Sequence, residues 1–140
     1  NMKRQANGIL LSIYLVGKEE GSIKEIPEEY IKHLDEMAEK EESPATLIDY
    51  TRAAIKLNNN QLAVKLANKA WEKNKLFKKQ RHPIYRSIYN TILVAAPYYL
   101  SLALKNLGEE ERAKKELEFA MRISRSKKLR KSLQDSEIVL

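Results

Sequence analysis

Residues 97–123 read Pro97-Tyr98-Tyr99-Leu100-Ser101-Leu102-Ala103-Leu104-Lys105-Asn106-Leu107-Gly108, then Glu109-Glu110-Glu111-Arg112-Ala113-Lys114-Lys115-Glu116-Leu117-Glu118-Phe119-Ala120-Met121-Arg122-Ile123. Tyr98 to Leu107 keeps a helical phase until Gly108, a residue suited to the left-handed turn that ends a helix. Three glutamates follow, as the positive end of a helix dipole favours. Ala113, Leu117 and Ala120 then recur at spacings of four and three, with Met121 and Phe119 beside them. The segment predicts two helices joined by a tight turn. Small residues at the crossing let the helices approach closely, and large apolar neighbours fill the groove.

The same design stands earlier in the chain. Ser43-Pro44 is a helix start, an N-cap serine followed by a proline at the first helical position. Leu47, Tyr50, Thr51, Ala54 and Ile55 share one face of the helix it opens. Asn58-Asn59-Asn60 stops that helix, because asparagine tolerates turn geometry and competes for backbone hydrogen bonds. Ala63, Ala67 and Ala70 then repeat the spacing of Ala113, Leu117 and Ala120, with Leu62, Leu66 and Trp71 alongside. Tyr50 and Ala54 precede the first turn as Leu100 and Leu104 precede the second. The offset between the copies is 50 residues.

Outside the two pairs the periodicity is also helical. Residues 4–16 predict a first helix with Gly17 as its stop, and a second begins at Pro27, with Glu28 and Glu29 in its first turn. Tyr30, Ile31, Leu34, Met37 and Ala38 form the apolar stripe of that second helix. Lys73 to His82 is a basic connection closed by Pro83. Ile84, Tyr85, Ile88, Tyr89, Ile92, Leu93 and Ala96 make a further stripe, after which Pro97 either kinks a long helix or divides two shorter ones. The expectation is an all-α chain of six or seven helices and no strand, built as an array of antiparallel helix pairs. It is organised as one domain, 1–140: atypical acidic helices over 1–43, a pair over 44–73, a basic connection plus extra helix over 74–96, a second pair over 97–125, and a basic, polar tail over 126–140.

The pattern resembles the tetratricopeptide repeat, most clearly from Pro97 to Ile123 and more weakly over 44–73. It departs from that family in its 50-residue offset, where the usual period is about 34, and in having Arg125 near the place of the closing proline. The resemblance implies a protein-binding scaffold: the first helix of each pair would line a groove that accepts a peptide or partner helix. Asp49, Arg52 and Lys56 would face it from the earlier pair, and Tyr98, Tyr99, Lys105 and Asn106 from the later one. Arg and Lys there select acidic groups, while tyrosine gives apolar area and a hydrogen bond. The family's clamp for C-terminal carboxylates is not supported, since Ile48 and Tyr99 stand where polar groups are needed. Two repeats are below the usual minimum of about three, so the N-terminal helices or a second copy of the chain would complete the array.

Charge gives the second lead. The net charge is +7, yet residues 1–50 hold 6 basic and 11 acidic side chains while residues 51–140 hold 20 and 8. Either the second part meets an anionic partner or the two parts meet each other. Lys73, Lys75, Lys78, Lys79 and Arg81 form one anion-binding candidate, with Trp71, Phe77 and Tyr85 near enough in sequence to stack a base. Arg125, Lys127, Lys128, Arg130 and Lys131 form another. Nucleic-acid binding by the stretches 51–82 and 122–131 is therefore the alternative function, although no recognition-helix or RNA-binding signature accompanies them.

Chemistry is sparse. Without cysteine there is no disulfide framework, thiolate nucleophile or cysteine-ligated metal. Four glycines leave no phosphate-cradling loop, and neither a dinucleotide fingerprint nor a zinc-protease or nucleophile-elbow motif occurs. The glutamates gather at helix ends and solvent faces. His33 and His82 stand apart, and no metal or cofactor is expected. An enzyme would need His33 facing a carboxylate across a closed pocket, so the expectation is a non-catalytic protein. The run Ile9 to Val16 is short of the roughly 20 apolar residues a membrane span requires and lacks a small-residue cleavage site. It reads as a buried helix of a soluble, cytoplasmic protein.

Overall fold

The computed structural model describes residues 28–124 together with Lys127 and Lys131. Its elements are α1 (Glu28–Lys40), α2 (Pro44–Lys56), α3 (Asn60–Asn74), a 3-10 turn (Lys75–Phe77), α4 (Pro83–Asn106) and α5 (Glu110–Ile123). Among the described residues there is no strand, and five helices stand in place of the six or seven expected. The helix predicted over 4–16 lies outside the described residues. Pro97 sits inside one continuous 24-residue helix rather than dividing two.

Local chemistry sets the boundaries. The Ser43 hydroxyl accepts from the Thr46 N–H, and Pro44 occupies the first turn of α2, where its missing N–H costs nothing. At the end of α2, Asn58 takes φ +61°, and the N–H groups of Asn58 and Asn59 donate to the carbonyls of Ile55 and Ala54, both at 2.9 Å. At the end of α4, Gly108 takes φ +84°, and the N–H groups of Gly108 and Glu109 donate to Lys105 and Leu104, again at 2.9 Å. Both are Schellman turns, each satisfying two orphan carbonyls through one left-handed residue. The asparagine run is thus divided: Asn58 ends α2, Asn59 caps α3 by accepting from Leu62 N–H, and Asn60 is its first helical residue. His82 starts α4, its Nδ1 accepting from Ile84 N–H at 3.2 Å.

The short turns fold α2 onto α3 and α4 onto α5, and α4 also lies against α2 and α3. The core joins Leu34 and Ala38 of α1, Leu47, Ile48 and Ala54 of α2, and Ala63, Leu66 and Ala70 of α3. Ile92, Ala96 and Ala103 of α4 complete it. Ala67, Leu100, Leu104 and Ala113 continue it towards α5. Alanines at the crossings allow the close helix approach that leucines on neighbouring turns then fill. Ile48 is core rather than groove-facing, because α2 has neighbours on more than one side and buries a wider stripe than Leu47, Thr51 and Ala54 alone.

α1 is held differently. Along α3, Lys65 Nζ reaches Asp35 at 3.2 Å, and Lys69 Nζ donates to the carbonyls of Ala38 and of Glu39, the latter at 2.8 Å. Lys73 Nζ lies 2.6 Å from Glu42. Three lysines spaced by four therefore run beside α1 and the loop after it. Lys69 supplies donors where the last carbonyls of α1 have none within the helix. Part of the charge asymmetry along the chain is met by contact between its acidic and basic parts.

Candidate functional site

The residues proposed for a groove divide between faces. α2 and α4, the first helices of the two hairpins, bring Arg52 over the Tyr99 ring at 5.9 Å from its centroid. Asp49 and Arg52 are exposed beside Tyr99, which is half-buried. Burial pushes the Tyr99 hydroxyl above its ordinary pKa; the Arg52 guanidinium pulls it back, and Tyr98 and Asp49 add to the rise. Such a side chain keeps its proton and remains a hydrogen-bond donor, with an acceptor and a cation close by. Lys56 is exposed at the end of α2, and Lys105 is half-buried at the end of α4.

Tyr98 and Asn106 do other work. Tyr98 packs on Leu117 and Ala120 of α5, edge-on to Tyr99 at 5.1 Å between centroids. Asn106 Nδ2 donates to Asn60 Oδ1 at 3.0 Å and ties the end of α4 to the start of α3.

Sequence reasoning missed a concavity elsewhere on the bundle. A hollow of about 440 Å³ opens between α3, α4 and α5, floored by Ala67, Ala96, Pro97 and Leu100 and flanked by Trp71 and Phe119. Those two rings meet edge-to-face at 5.8 Å. Glu116, Lys115 and Arg122 stand at its rim, with Arg122 5.5 Å from the Phe119 ring centroid. The sequence signal was the set of small or flat residues, Ala67, Ala96 and Pro97, which cannot fill the space between two large aromatics.

The basic candidates also separate. Lys73 is paired with Glu42 and holds that carboxylate below its usual pKa, first through a hydrogen bond and then through charge. Lys75 Nζ is 3.0 Å from Glu72, one turn away. Lys78, Lys79 and Arg81 are exposed on the connection into α4. Phe77 and Tyr85 stack on each other, 5.5 Å apart and 7° from parallel, with the His82 ring edge-on to Tyr85. Lys127 and Lys131 are exposed, while Arg125, Lys128 and Arg130 lie outside the described residues.

Beneath the connection, a hollow of about 340 Å³ is lined by Trp71, Asn74, Lys75, Lys78, Tyr89 and Leu93. Asn74 is 1% exposed; its Nδ2 donates to the Tyr89 carbonyl at 3.1 Å, and its Oδ1 is a buried acceptor with no donor among the described residues.

His33 Nδ1 lies 3.5 Å from Glu36 Oε2, one turn on along α1, and the Glu36 side chain is 73% exposed. Among the described residues no group of three or more His, Asp or Glu stands close enough to hold a metal ion. One described helix, α4, is long and apolar enough to cross a membrane by length and composition. It is also the helix against which α2, α3 and α5 all pack. No family model matches the chain, and neither the curated proteins nor the solved structures contain a match.

Proposed function

We propose that the chain is a non-catalytic binding module, a tetratricopeptide-like helical scaffold of the cytoplasm that takes a peptide or partner helix on the face shared by α2 and α4. The observation that carries this reading is the side-by-side packing of two first helices, which gathers Asp49, Arg52 and Tyr99 on one surface. The two Schellman turns, alike in geometry and 50 residues apart, support the view of the hairpins as copies of one unit. An aromatic ring with a protonated hydroxyl beside an exposed guanidinium suits a segment carrying an apolar anchor and a carboxylate. A second copy of the chain would supply a further pair where two are too few for a free-standing array.

Selection of displayed peptides on the folded chain tests this. Enriched sequences are expected to be acidic, and Arg52→Glu with Lys56→Glu should weaken them on the order of tenfold or more without a change in helix content, as expected for lost charge-assisted contacts. Peptides that bind the double variant equally well would remove the face from consideration. Nucleic-acid binding by the basic stretches has less support, since Lys73 and Lys75 already have carboxylate partners and the Phe77 and Tyr85 rings stack on one another.

A further inference from the structure

The connection between α3 and α4 is unlike the rest of the surface. Every residue from 78 to 87 is exposed, so this part of the chain forms a projecting corner, beside the hollow that Lys75 and Lys78 help to line. The stack of Phe77 on Tyr85 pins the 3-10 turn to the first turn of α4. Next to the stacked rings in the chain stand two aliphatic residues: Leu76, 67% exposed, and Ile84, 63% exposed, the two most exposed large hydrophobics among the described residues. Lys78, Lys79, Arg81 and Arg86 surround them in sequence, all exposed and none with a carboxylate partner among the described residues. No Asp or Glu occurs anywhere from residue 73 to residue 108.

From this we infer that the corner docks on an anionic lipid bilayer, with Leu76 and Ile84 entering the interface and Lys78, Lys79, Arg81 and Arg86 resting among the headgroups. Charge decides the sign of the partner: a patch of cations with no carboxylate partner among the described residues, in a stretch of sequence free of carboxylates, repels a second copy of itself and attracts a negative surface. Shape and apolar content decide its class. A peptide or helix needs a long groove, whereas a projecting, fully exposed turn meets a broad, soft surface. Nucleic acid would use exposed ring faces for stacking, but here Phe77 and Tyr85 each cover one face of the other, and the two most exposed apolar side chains, Leu76 and Ile84, are aliphatic. Aliphatic side chains flanked by long cationic ones are what the bilayer interface accommodates, each apolar group inserting while its neighbours snorkel.

The test is co-sedimentation of the full chain with vesicles of phosphatidylcholine alone or mixed with phosphatidylserine. Sedimentation with the mixed vesicles at low salt, release at high salt and none with phosphatidylcholine are expected. Lys78→Ala, Lys79→Ala and Arg81→Ala together should lower partitioning on the order of 100-fold, at roughly fivefold for each cation near an anionic surface. Leu76→Ser with Ile84→Ser should lower it on the order of tenfold. All five sites are exposed, and circular dichroism checks that the fold persists. Lys32→Ala, Lys40→Ala and Lys114→Ala remove the same charge elsewhere and should change binding by less than about threefold. An equal loss from that control, or no loss from the Leu76 and Ile84 changes, would overturn the proposal in favour of unspecific charge. Binding that survives a carbonate wash would overturn it in favour of a spanning α4. Tight capture of single-stranded oligonucleotide with indifference to vesicles would overturn it in favour of nucleic acid.

Discussion

The α2–α3 and α4–α5 hairpins agree at their turns and differ at one free end. Positions 50 residues apart play the same parts: Thr51 and Ser101 are buried hydroxyls that donate to backbone carbonyls one turn back, Ala63 and Ala113 are buried opposite the turn, and Ala70 and Ala120 are fully buried further on. Yet α2 has 13 residues and α4 has 24. The surplus lies at the start of α4, where Pro83 to Ser87 are exposed. A turn and the small residues around it are constrained from both sides by packing. The outer end of α4 is held only by its His82 cap and the stack of Tyr85 on Phe77, so it can lengthen beyond the packed part of the bundle.

Replacing a side chain in one hairpin by its counterpart in the other tests whether the matched positions are packed alike. Leu104 and Ala54 are equivalent, and both are fully buried. Leu104→Ala should cost about 2–5 kcal/mol, measured by urea unfolding, because the site on α4 has grown around the larger side chain. Ala54→Leu, the reverse exchange, should cost about 1–3 kcal/mol through overpacking. A loss below about 1 kcal/mol for Leu104→Ala would mean that the second hairpin collapses freely and that its likeness to the first is confined to the turn.

The turns come next in size. Nothing lies within 4 Å of a Cβ added at Gly108, so Gly108→Ala meets no clash and its cost is the left-handed backbone alone, about 1–2 kcal/mol. Gly108→Asn should recover most of that loss, since Asn58 holds φ +61° in the matching turn. The caps differ too: Asn59 accepts from Leu62 N–H, whereas the Glu109 side chain makes no cap bond. Asn59→Ala should cost about 1 kcal/mol, and Glu109→Asn should stabilise by up to about that amount, less whatever the Glu109 pair with Arg112 contributed. Thermal unfolding of the variants resolves each step.

How far the fold was legible follows from where each constraint acts. The Ser43-Pro44 start, the stops at Asn58 and Gly108, and the alanine spacings are local, and each appears where the residues place it. The continuity of α4 through Pro97 was not legible. Proline withdraws one N–H from the helix, and what keeps the helix intact is burial of Pro97, Ala96 and Leu100 among elements distant in sequence. Ile48 misled for a related reason: one helical period cannot show that a helix has neighbours on several sides. At the candidate face, Arg52 and Tyr99 could be named from the sequence, but their meeting, and the diversion of Tyr98 and Asn106 to α5 and α3, depended on tertiary packing. Lys65, Lys69 and Lys73 belong to the basic stretch 51–82 offered for anion binding, and their internal partners were not legible because Asp35 and Glu42 lie some thirty residues earlier in the chain.

That lysine row supplies the finest contrast between the hairpins, because it is α3 that carries it. Lys73 lowers the pKa of Glu42, so the folded chain binds this proton less readily than the unfolded chain does. The sign follows: the stabilisation is fully present above the ordinary carboxylate pKa of 4.5 and fades as pH falls through the lowered folded value. Both groups are at the surface and Glu42 is open to solvent, so the pair is screened and its effect is smaller than those of the turns and caps. Lys73→Met keeps the apolar stem and removes the charge. Unfolding curves taken across the acid range should then converge: the parent chain is more stable than the variant at neutral pH, and the gap closes on acidification. High salt should narrow the neutral-pH gap as well. A gap that stays constant with pH would show that the Lys73 stem, not its ion pair, holds the loop after α1 against α3.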